Sequence, residues 1–190
     1  AGTIAAIGDN NVGVIGVAPN VKVMALKFLS GGGYGYISNA VRALDYAVSM
    51  GAQISNNSWG GGGFSSAMNI SLQNARDAGH IFVAAAGNSA SNNDVSPQYP
   101  ANYDVDNVIS VAATDHNDNL AWFSSYGANT VDLAAPGVSI YSTTPGNTYS
   151  TYSGTSMATP HVAGVVALVM SQHPDWSYDQ IINQVLATTD

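Results

Sequence analysis

The chain has 190 residues and a formal net charge of −8 at pH 7, because four lysines and arginines stand against twelve acidic residues, all aspartate. This acidity argues against nucleic acid or an anionic membrane as partners, since both bind basic surfaces, and no apolar stretch reaches the roughly 18 residues of a membrane span. The sequence contains no cysteine, which excludes disulfide bonds and thiolate metal sites.

Two loops and one strand are predicted in the first 36 residues. Residues 9–19 are rich in Asn, Gly and Pro, which predicts a loop. Residues 21–28 are apolar and β-branched with turn residues behind them, which predicts a strand. The glycine-rich residues 31–36 follow. Such a loop can cradle phosphate, but this one lacks both the Gly-Lys-Ser/Thr and the Gly-x-Gly-x-x-Gly patterns of phosphate-binding loops.

Helices and strands are predicted to alternate from residue 37 onward. Apolar residues recur at helical spacing over 37–48 and 68–75, each followed by a glycine stop, and a capping-box pattern predicts a last helix over 181–186. Strands are predicted at 53–59, 81–86, 108–113, 120–126 and 131–134. The first of these strands ends in the polar run 55–58, and open α/β sheets place ligands at the carboxyl ends of their strands.

Ser156 lies at the start of a predicted buried helix. The run 162–170 is apolar or small at nearly every position, so a helix there has no polar face and must be central. Because Pro160 is tolerable only in the first turn, the helix is predicted to begin near Ser156. The Ser156 hydroxyl would then lie at the positive end of the helix dipole, which favours developing negative charge.

The nucleophile motif of subtilisin-like serine proteases resembles residues 154–164, which read Gly-Thr-Ser-Met-Ala-Thr-Pro-His-Val-Ala-Gly. A match over eleven residues is far more specific than a bare Gly-x-Ser-x-Gly, which is absent here. The resemblance implies that Ser156 is a nucleophile. It also implies a three-layer α/β/α sandwich with a mainly parallel sheet. Residues 1–190 are expected to form a single partial peptidase domain, truncated at the N-terminus and at the C-terminus.

Other positions match the family's site residue by residue. Residues 84–88, Ala-Ala-Ala-Gly-Asn, resemble the oxyanion-hole motif, which implies that Asn88 stabilises the tetrahedral intermediate. Tyr99-Pro100 matches a position with a cis peptide bond. Gln98 falls at the pocket floor and is expected to narrow a pocket that otherwise tolerates large apolar side chains. A protein or peptide substrate is implied to bind as an added strand at Gly33, Tyr34 and Gly35. One wall of the specificity pocket is implied at Ser58, Trp59 and Gly60, and further substrate contacts at Ala84, Ala85 and Gly87.

A structural calcium ion is the cofactor that the resemblance implies. The loop after Asp9 is similar to the family's calcium loop, with the Asn10 side chain and the carbonyls of Val12 and Val14 as oxygen ligands. The sequence carries one extra residue just before this loop, and the family's carboxylate ligand would lie upstream of Ala1. An ordinary turn is therefore the alternative.

A nucleophilic serine needs a base within hydrogen-bond reach and an acid that orients the base. His161 faces away from Ser156 on the same helix, and His173 lies about 25 Å along it. His80 starts a strand that places it roughly 26 Å from the oxyanion hole. His116 is the one histidine that geometry does not exclude. The family's order of Asp, His and Ser implies that both partners of Ser156 lie upstream, in the N-terminal part of the same domain.

The sequence is identified as the nucleophile-bearing part of a secreted serine endopeptidase of the subtilisin-like family, inactive as this chain alone. One alternative is an inert fragment or peptide-binding remnant that uses the edge at residues 33–35. A second is an acid-acting serine carboxyl peptidase, which by resemblance would want a Glu base and an Asp at the oxyanion position. The chain has no Glu, and it has Asn88.

Overall fold

The computed structural model describes residues 1–189, which form five helices and six strands. In chain order they are α1 (Gly2–Ala5), α2 (Ile37–Ser49), β1 (Ile54–Asn57), α3 (Ser66–Asp77), β2 (Ile81–Ala85), β3 (Val108–Thr114), β4 (Leu133–Pro136), β5 (Ile140–Thr144), β6 (Thr148–Tyr152), α4 (Thr155–Gln172) and α5 (Tyr178–Ala187). Strands β1 to β4 form one parallel sheet in that spatial order, and β5 pairs with β6 as an antiparallel hairpin.

Two hydrophobic cores lie on opposite faces of the parallel sheet. Strand β2 is buried along its whole length, and its successive side chains point to opposite faces. Ile81 and Val83 pack with residues of α4 and α5. Phe82 and Ala84 pack with residues of α2 and α3. The predicted three-layer α/β/α sandwich with a parallel sheet is therefore confirmed.

Local signals in the sequence set the ends of several helices. Gly51 and Gly79 follow α2 and α3 with φ of +79° and +78°, a left-handed conformation that glycine adopts without strain. The Ser65 hydroxyl accepts a hydrogen bond from the Met68 N–H and caps α3. The predicted cis bond between Tyr99 and Pro100 is also present.

Helix α4 begins at Thr155, so Pro160 is its sixth residue and the prediction that it lies in the first turn is wrong. A proline at this place has no N–H to donate to the carbonyl of Ser156, four residues earlier. That carbonyl accepts a hydrogen bond from the Ser58 hydroxyl instead, at 2.8 Å. The helix therefore continues through Pro160, because a neighbouring strand end satisfies the backbone group that the proline leaves free.

Two predicted strands are not strands in the structure. Residues 21–28 have no regular secondary structure and are largely exposed, and they pair with no strand among residues 1–189. Their β-branched composition suits a pleated surface, but a strand also needs a neighbour for its backbone groups. Residues 120–126 form turns, with isolated bridges only at Leu120 and Tyr126. In this second segment the Ser124 hydroxyl accepts a hydrogen bond from the backbone N–H of Ala113. That N–H is then not free to pair with a strand carbonyl in a regular ladder.

The described fold contains one ion pair and no helix suited to span a membrane. Arg76 and Asp77 form an ion pair at 2.9 Å, and no second ion pair occurs among residues 1–189. None of the helices in this part of the chain is both long and apolar enough to cross a membrane.

Candidate active site

Ser156 is the second residue of the 18-residue helix α4 and is half-buried. Its N–H is among the first amides of the helix, which have no partner within the helix and carry the positive end of the dipole. Its hydroxyl donates to the backbone carbonyl of Ser58, at a long 3.4 Å. The predicted nucleophile therefore lies where a developing negative charge is favoured.

Asn88 follows β2 and is fixed by the residue that precedes the serine. Its side-chain oxygen accepts hydrogen bonds from the Thr155 N–H at 2.8 Å and from the Thr155 hydroxyl at 3.0 Å. Because both contacts are with donors, the amide nitrogen must be the free end of the side chain. A Cβ built on Gly154 would lie 3.5 Å from that nitrogen, which places the free donor beside the start of α4.

Thr155 links the two predicted site residues and was not itself predicted as one. It is fully buried, and its hydroxyl oxygen also accepts a hydrogen bond from the Gly87 N–H at 3.2 Å. One threonine thus fixes both the backbone before Asn88 and the side chain of Asn88. The signal available in the sequence was its position in the nucleophile motif, directly before Ser156.

Ser58 and Ser156 form a reciprocal pair of contacts. The Ser58 hydroxyl donates to the Ser156 carbonyl, and the Ser156 hydroxyl donates to the Ser58 carbonyl. The polar end of β1 therefore lies directly beside the start of α4, as expected for a site at the carboxyl ends of parallel strands.

The loop at residues 30–36 borders a cavity of about 600 Å³. Tyr34 and Gly35 line it, whereas Gly33 lies in the turn closed by its N–H bond to the Ser30 carbonyl. Phe28 also lines the cavity, and its ring meets Trp59 edge-on with 5.1 Å between centroids. The two predicted peptide-binding segments are thus joined through an aromatic pair.

The remaining predicted substrate residues lie close to the same strand ends. Ala84 and Ala85 are buried in β2, so their side chains belong to the sheet interior. Gly60 is exposed. Next to Asn88, a Cβ built on Gly87 would lie 3.6 Å from the side chain of Gln98, which places Gln98 beside the predicted pocket.

Two of the four histidines, one within helix α4 and one directly after it, contact residues other than Ser156. The His161 ring nitrogen Nδ1 lies 2.8 Å from the Met157 carbonyl and therefore donates to it. Burial lowers the pKa of His161. His173 stacks on Trp176 with 3.7 Å between ring centroids. Neither imidazole is hydrogen-bonded to Ser156.

The other two histidines also have no hydrogen bond with the serine. His80 is buried and contacts the Ala52 carbonyl and the Ser55 hydroxyl. His116 lies in an exposed turn organised by Asp115, whose carboxylate accepts backbone N–H groups within that turn. Across residues 1–189, the hydrogen bond made by the Ser156 hydroxyl is the one to the carbonyl of Ser58.

The predicted calcium loop is exposed and tightly turned. The Asn10 side-chain oxygen accepts a hydrogen bond from the Val12 N–H at 3.0 Å. In the described part of the chain, no three His, Cys, Asp or Glu side chains are grouped as a metal site. The donors of Asn10, Val12 and Val14 are uncharged oxygens, which fit calcium in kind, but they supply three of the roughly six to eight oxygens that calcium takes.

Comparison with known proteins gives consistent matches along the chain. The profile of the subtilase family matches residues 1–190. Alkaline elastase YaB of Bacillus sp. (strain YaB) is 47% identical over 188 residues, covering 99% of this chain and 48% of that protein. Subtilisin DY of Bacillus licheniformis is 47% identical over 189 residues, covering 99% of this chain and 68% of that protein.

A solved structure supports the same grouping at the level of the fold. A protease from Pseudoalteromonas arctica PAMC 21717 superposes with a TM-score of 0.91 at 34% identity, covering 100% of this chain and 62% of that one. The chain therefore spans between about half and two thirds of the length of these relatives.

Proposed function

The chain belongs to the subtilase family, and on that premise we propose that it carries the nucleophile and the oxyanion donor of a serine endopeptidase. Ser156 attacks the peptide carbonyl, and the amide nitrogen of Asn88 with the N–H of Ser156 stabilises the oxyanion that forms. The observation that carries the proposal is the Asn88 amide, whose oxygen is held by Thr155 so that its donor end is free beside the start of α4.

We further propose that the base and acid acting on Ser156 come from residues outside this chain. The hydroxyl must lose its proton to a base during attack, and a backbone carbonyl such as that of Ser58 cannot take it. Loss of the base of such a triad lowers turnover by about 10⁶. Residues 1–190 by themselves are therefore expected to show no measurable peptide hydrolysis.

The proposed substrate is an extended segment of protein or peptide, and the proposed setting is outside the cell. The substrate backbone would lie between the loop at residues 33–35 and the strand end at residues 58–60, with Gln98 narrowing the pocket beside Gly87. The acidic composition is unfavourable for nucleic acid or an anionic membrane as the partner.

An active-site titration tests the proposed function. A fluorophosphonate should label the full-length protein at Ser156, and Ser156→Ala should abolish both labelling and peptide hydrolysis. Asn88→Ala should lower turnover by about 10²–10³, whereas Asn74→Ala, at an exposed position of α3, should leave it unchanged. A full-length protein that neither labels nor hydrolyses peptides would favour the inert, peptide-binding alternative.

We also propose that Asn10, Val12 and Val14 bind a structural calcium ion. The bond from the Val12 N–H to the Asn10 side chain already folds the loop that carries these oxygens. Calcium at 100 times its Kd would stabilise the folded protein by about 2.7 kcal/mol. Thermal unfolding with calcium and with a chelator measures this. Asn10→Ala should lose the calcium response and Asn20→Ala, at a nearby exposed position, should retain it; an equal response in both variants argues against the site.

A further inference from the structure

A row of polar side chains runs along the face of β1 that packs against α2 and α3. Ser55, Asn57 and Trp59 alternate along the strand and its continuation, so they share one face. The register pairs Ser55 with Phe82 and Asn57 with Ala84, and both β2 residues belong to the core beneath α2 and α3. Polar groups in such a layer need internal partners.

Three hydrogen bonds join these residues to His80, and a fourth holds the His80 ring to the backbone of residue 52. The Trp59 indole N–H donates to the Asn57 side-chain oxygen at 3.2 Å, and the Asn57 amide nitrogen donates to the Ser55 hydroxyl oxygen at 2.9 Å. The Ser55 hydroxyl lies 2.9 Å from His80 Nε2, and His80 Nδ1 lies 2.7 Å from the Ala52 carbonyl. Side chains at residues 59, 57, 55 and 80 thus form one continuous chain.

The chemistry of the two ends fixes which group is donor and which is acceptor in every hydrogen bond of this side-chain network. A carbonyl can only accept, so His80 Nδ1 is protonated and donates a hydrogen bond to the Ala52 carbonyl. Nε2 of the neutral ring accepts the hydrogen bond that the Ser55 hydroxyl donates. The indole of Trp59 can only donate, so the oxygen of the Asn57 amide must face it. His80 is 1% exposed, and burial lowers its pKa, which favours the neutral ring.

The Trp59 end of this hydrogen-bonded chain lies beside the cavity bordered by residues 30–36, called the groove below. Trp59 is half-buried and packs edge-on against Phe28, which lines the cavity of about 600 Å³. Its neighbour Ser58 contacts Ser156 on the other side. Aromatic packing tolerates several tilts of an indole ring, whereas a hydrogen bond to a fixed acceptor selects one. The orientation of Trp59 therefore depends on residues that do not themselves line the cavity.

We propose that His80, Ser55 and Asn57 are positioning residues that set the orientation of Trp59, and through Phe28 the side-chain preference of the groove. The positioning of the indole stands on the hydrogen bonds alone, whereas its effect on substrate choice rests on the proposed function. Residues in one hydrogen-bond network are energetically coupled over distances that single contacts do not span.

The indole N–H signals of the full chain, labelled with ¹⁵N-tryptophan, test the positioning directly. Trp59→Phe assigns the Trp59 signal. Ser55→Ala and His80→Leu should shift or broaden it, and His80→Gln, which keeps a donor and an acceptor, should restore it in part. Ser71→Ala removes another buried hydroxyl bond, to Asp45, and should leave the signal in place. An unchanged signal in Ser55→Ala, or an equal shift in Ser71→Ala, overturns the inference.

Peptide cleavage by the full-length protein tests the effect on specificity. Ser55→Ala should change the ratio of kcat/KM for peptides with large and small side chains in the groove by about two- to tenfold, the lower part of the range for residues coupled in one network. An unchanged ratio, with the indole signal moved, would overturn the specificity part. A protein that cleaves no peptide while its indole signal still responds would refute the proposed function and support the positioning.

Discussion

Replacing Ser58 with alanine tests the contact that lets helix α4 continue through a proline. The Ser58 hydroxyl is the donor to the Ser156 carbonyl, at 2.8 Å, because Pro160 has no N–H to offer. Ser58→Ala leaves that carbonyl without its protein partner. Ser58 and Ser156 are both half-buried, so water replaces part of the lost bond.

Ser58→Ala also removes the bond that the Ser58 hydroxyl accepts from the exposed Asn56 side chain, at 3.0 Å, which water readily replaces. The expected cost of losing the bond to the Ser156 carbonyl is about 1 kcal/mol of unfolding free energy. For a protein of this size it corresponds to a fall of about 2–4 °C in Tm. Pro160→Ala supplies a backbone N–H at the position that bonds the Ser156 carbonyl in a regular helix. In the Pro160→Ala background, Ser58→Ala should therefore cost about 1 kcal/mol less than it does beside the native proline.

A double-mutant cycle measured by urea and thermal unfolding gives this coupling free energy. Ser171→Ala is the matched control, since the Ser171 hydroxyl also donates to a backbone carbonyl of α4, that of Leu168, far from the proline. The control should cost the same in both backgrounds. The reasoning is refuted if Ser58→Ala costs as much beside Ala at position 160 as beside the native proline.

Three further variants address the site, the pH response and the packing. Thr155→Val removes the hydroxyl bond to the Asn88 oxygen and the bond from the Gly87 N–H, but keeps the backbone bond to Asn88. Fluorophosphonate labelling of the full-length protein should therefore slow about two- to tenfold, and an unchanged rate contradicts this positioning. Burial lowers the pKa of His80 below its usual 6.5. Because the unfolded chain then binds the proton more readily, the free energy of unfolding should fall as pH falls below about 6.5. In unfolding experiments across pH, His80→Gln should flatten this slope by up to about 1.4 kcal/mol per pH unit. Gly164→Ala would place a methyl group 2.6 Å from the side chain of Val17, so it should cost about 1–3 kcal/mol in urea unfolding, and a neutral result would mean that residue 17 moves aside.

Features specified by neighbours in the sequence were predicted well. The apolar spacing and the glycine stops gave α2 and α3, and the buried run after Ser156 gave α4. The motif around Asn88 and the motif around Ser156 were expected to meet, and the structure joins them through Thr155. The helices were predicted because local periodicity and backbone constraints act within a few residues, whereas the meeting of the two motifs was implied by their resemblance to the family.

Features that depend on distant partners were missed. Residues 21–28 have the composition of a strand, yet strand formation needs a paired neighbour that composition does not reveal. The position of Pro160 within α4 depends on Ser58, 98 residues before Ser156. The bond between His80 and Ser55 likewise joins different elements. The polar run 55–58 at the end of a predicted strand was the only sequence sign that such partners existed.

The near absence of ion pairs in the described fold has a kinetic consequence. Charged residues make up 8% of the chain, and the pair of Arg76 with Asp77 is the sole one among residues 1–189. Most of the aspartates therefore have no cationic partner at short range. Together they produce a negative field that extends over the Debye length, about 10 Å at 0.1 M salt. Such a field speeds diffusional encounter with cations. Lysine- and arginine-rich peptides should associate faster as ionic strength falls, whereas the association rate of neutral peptides should hardly change.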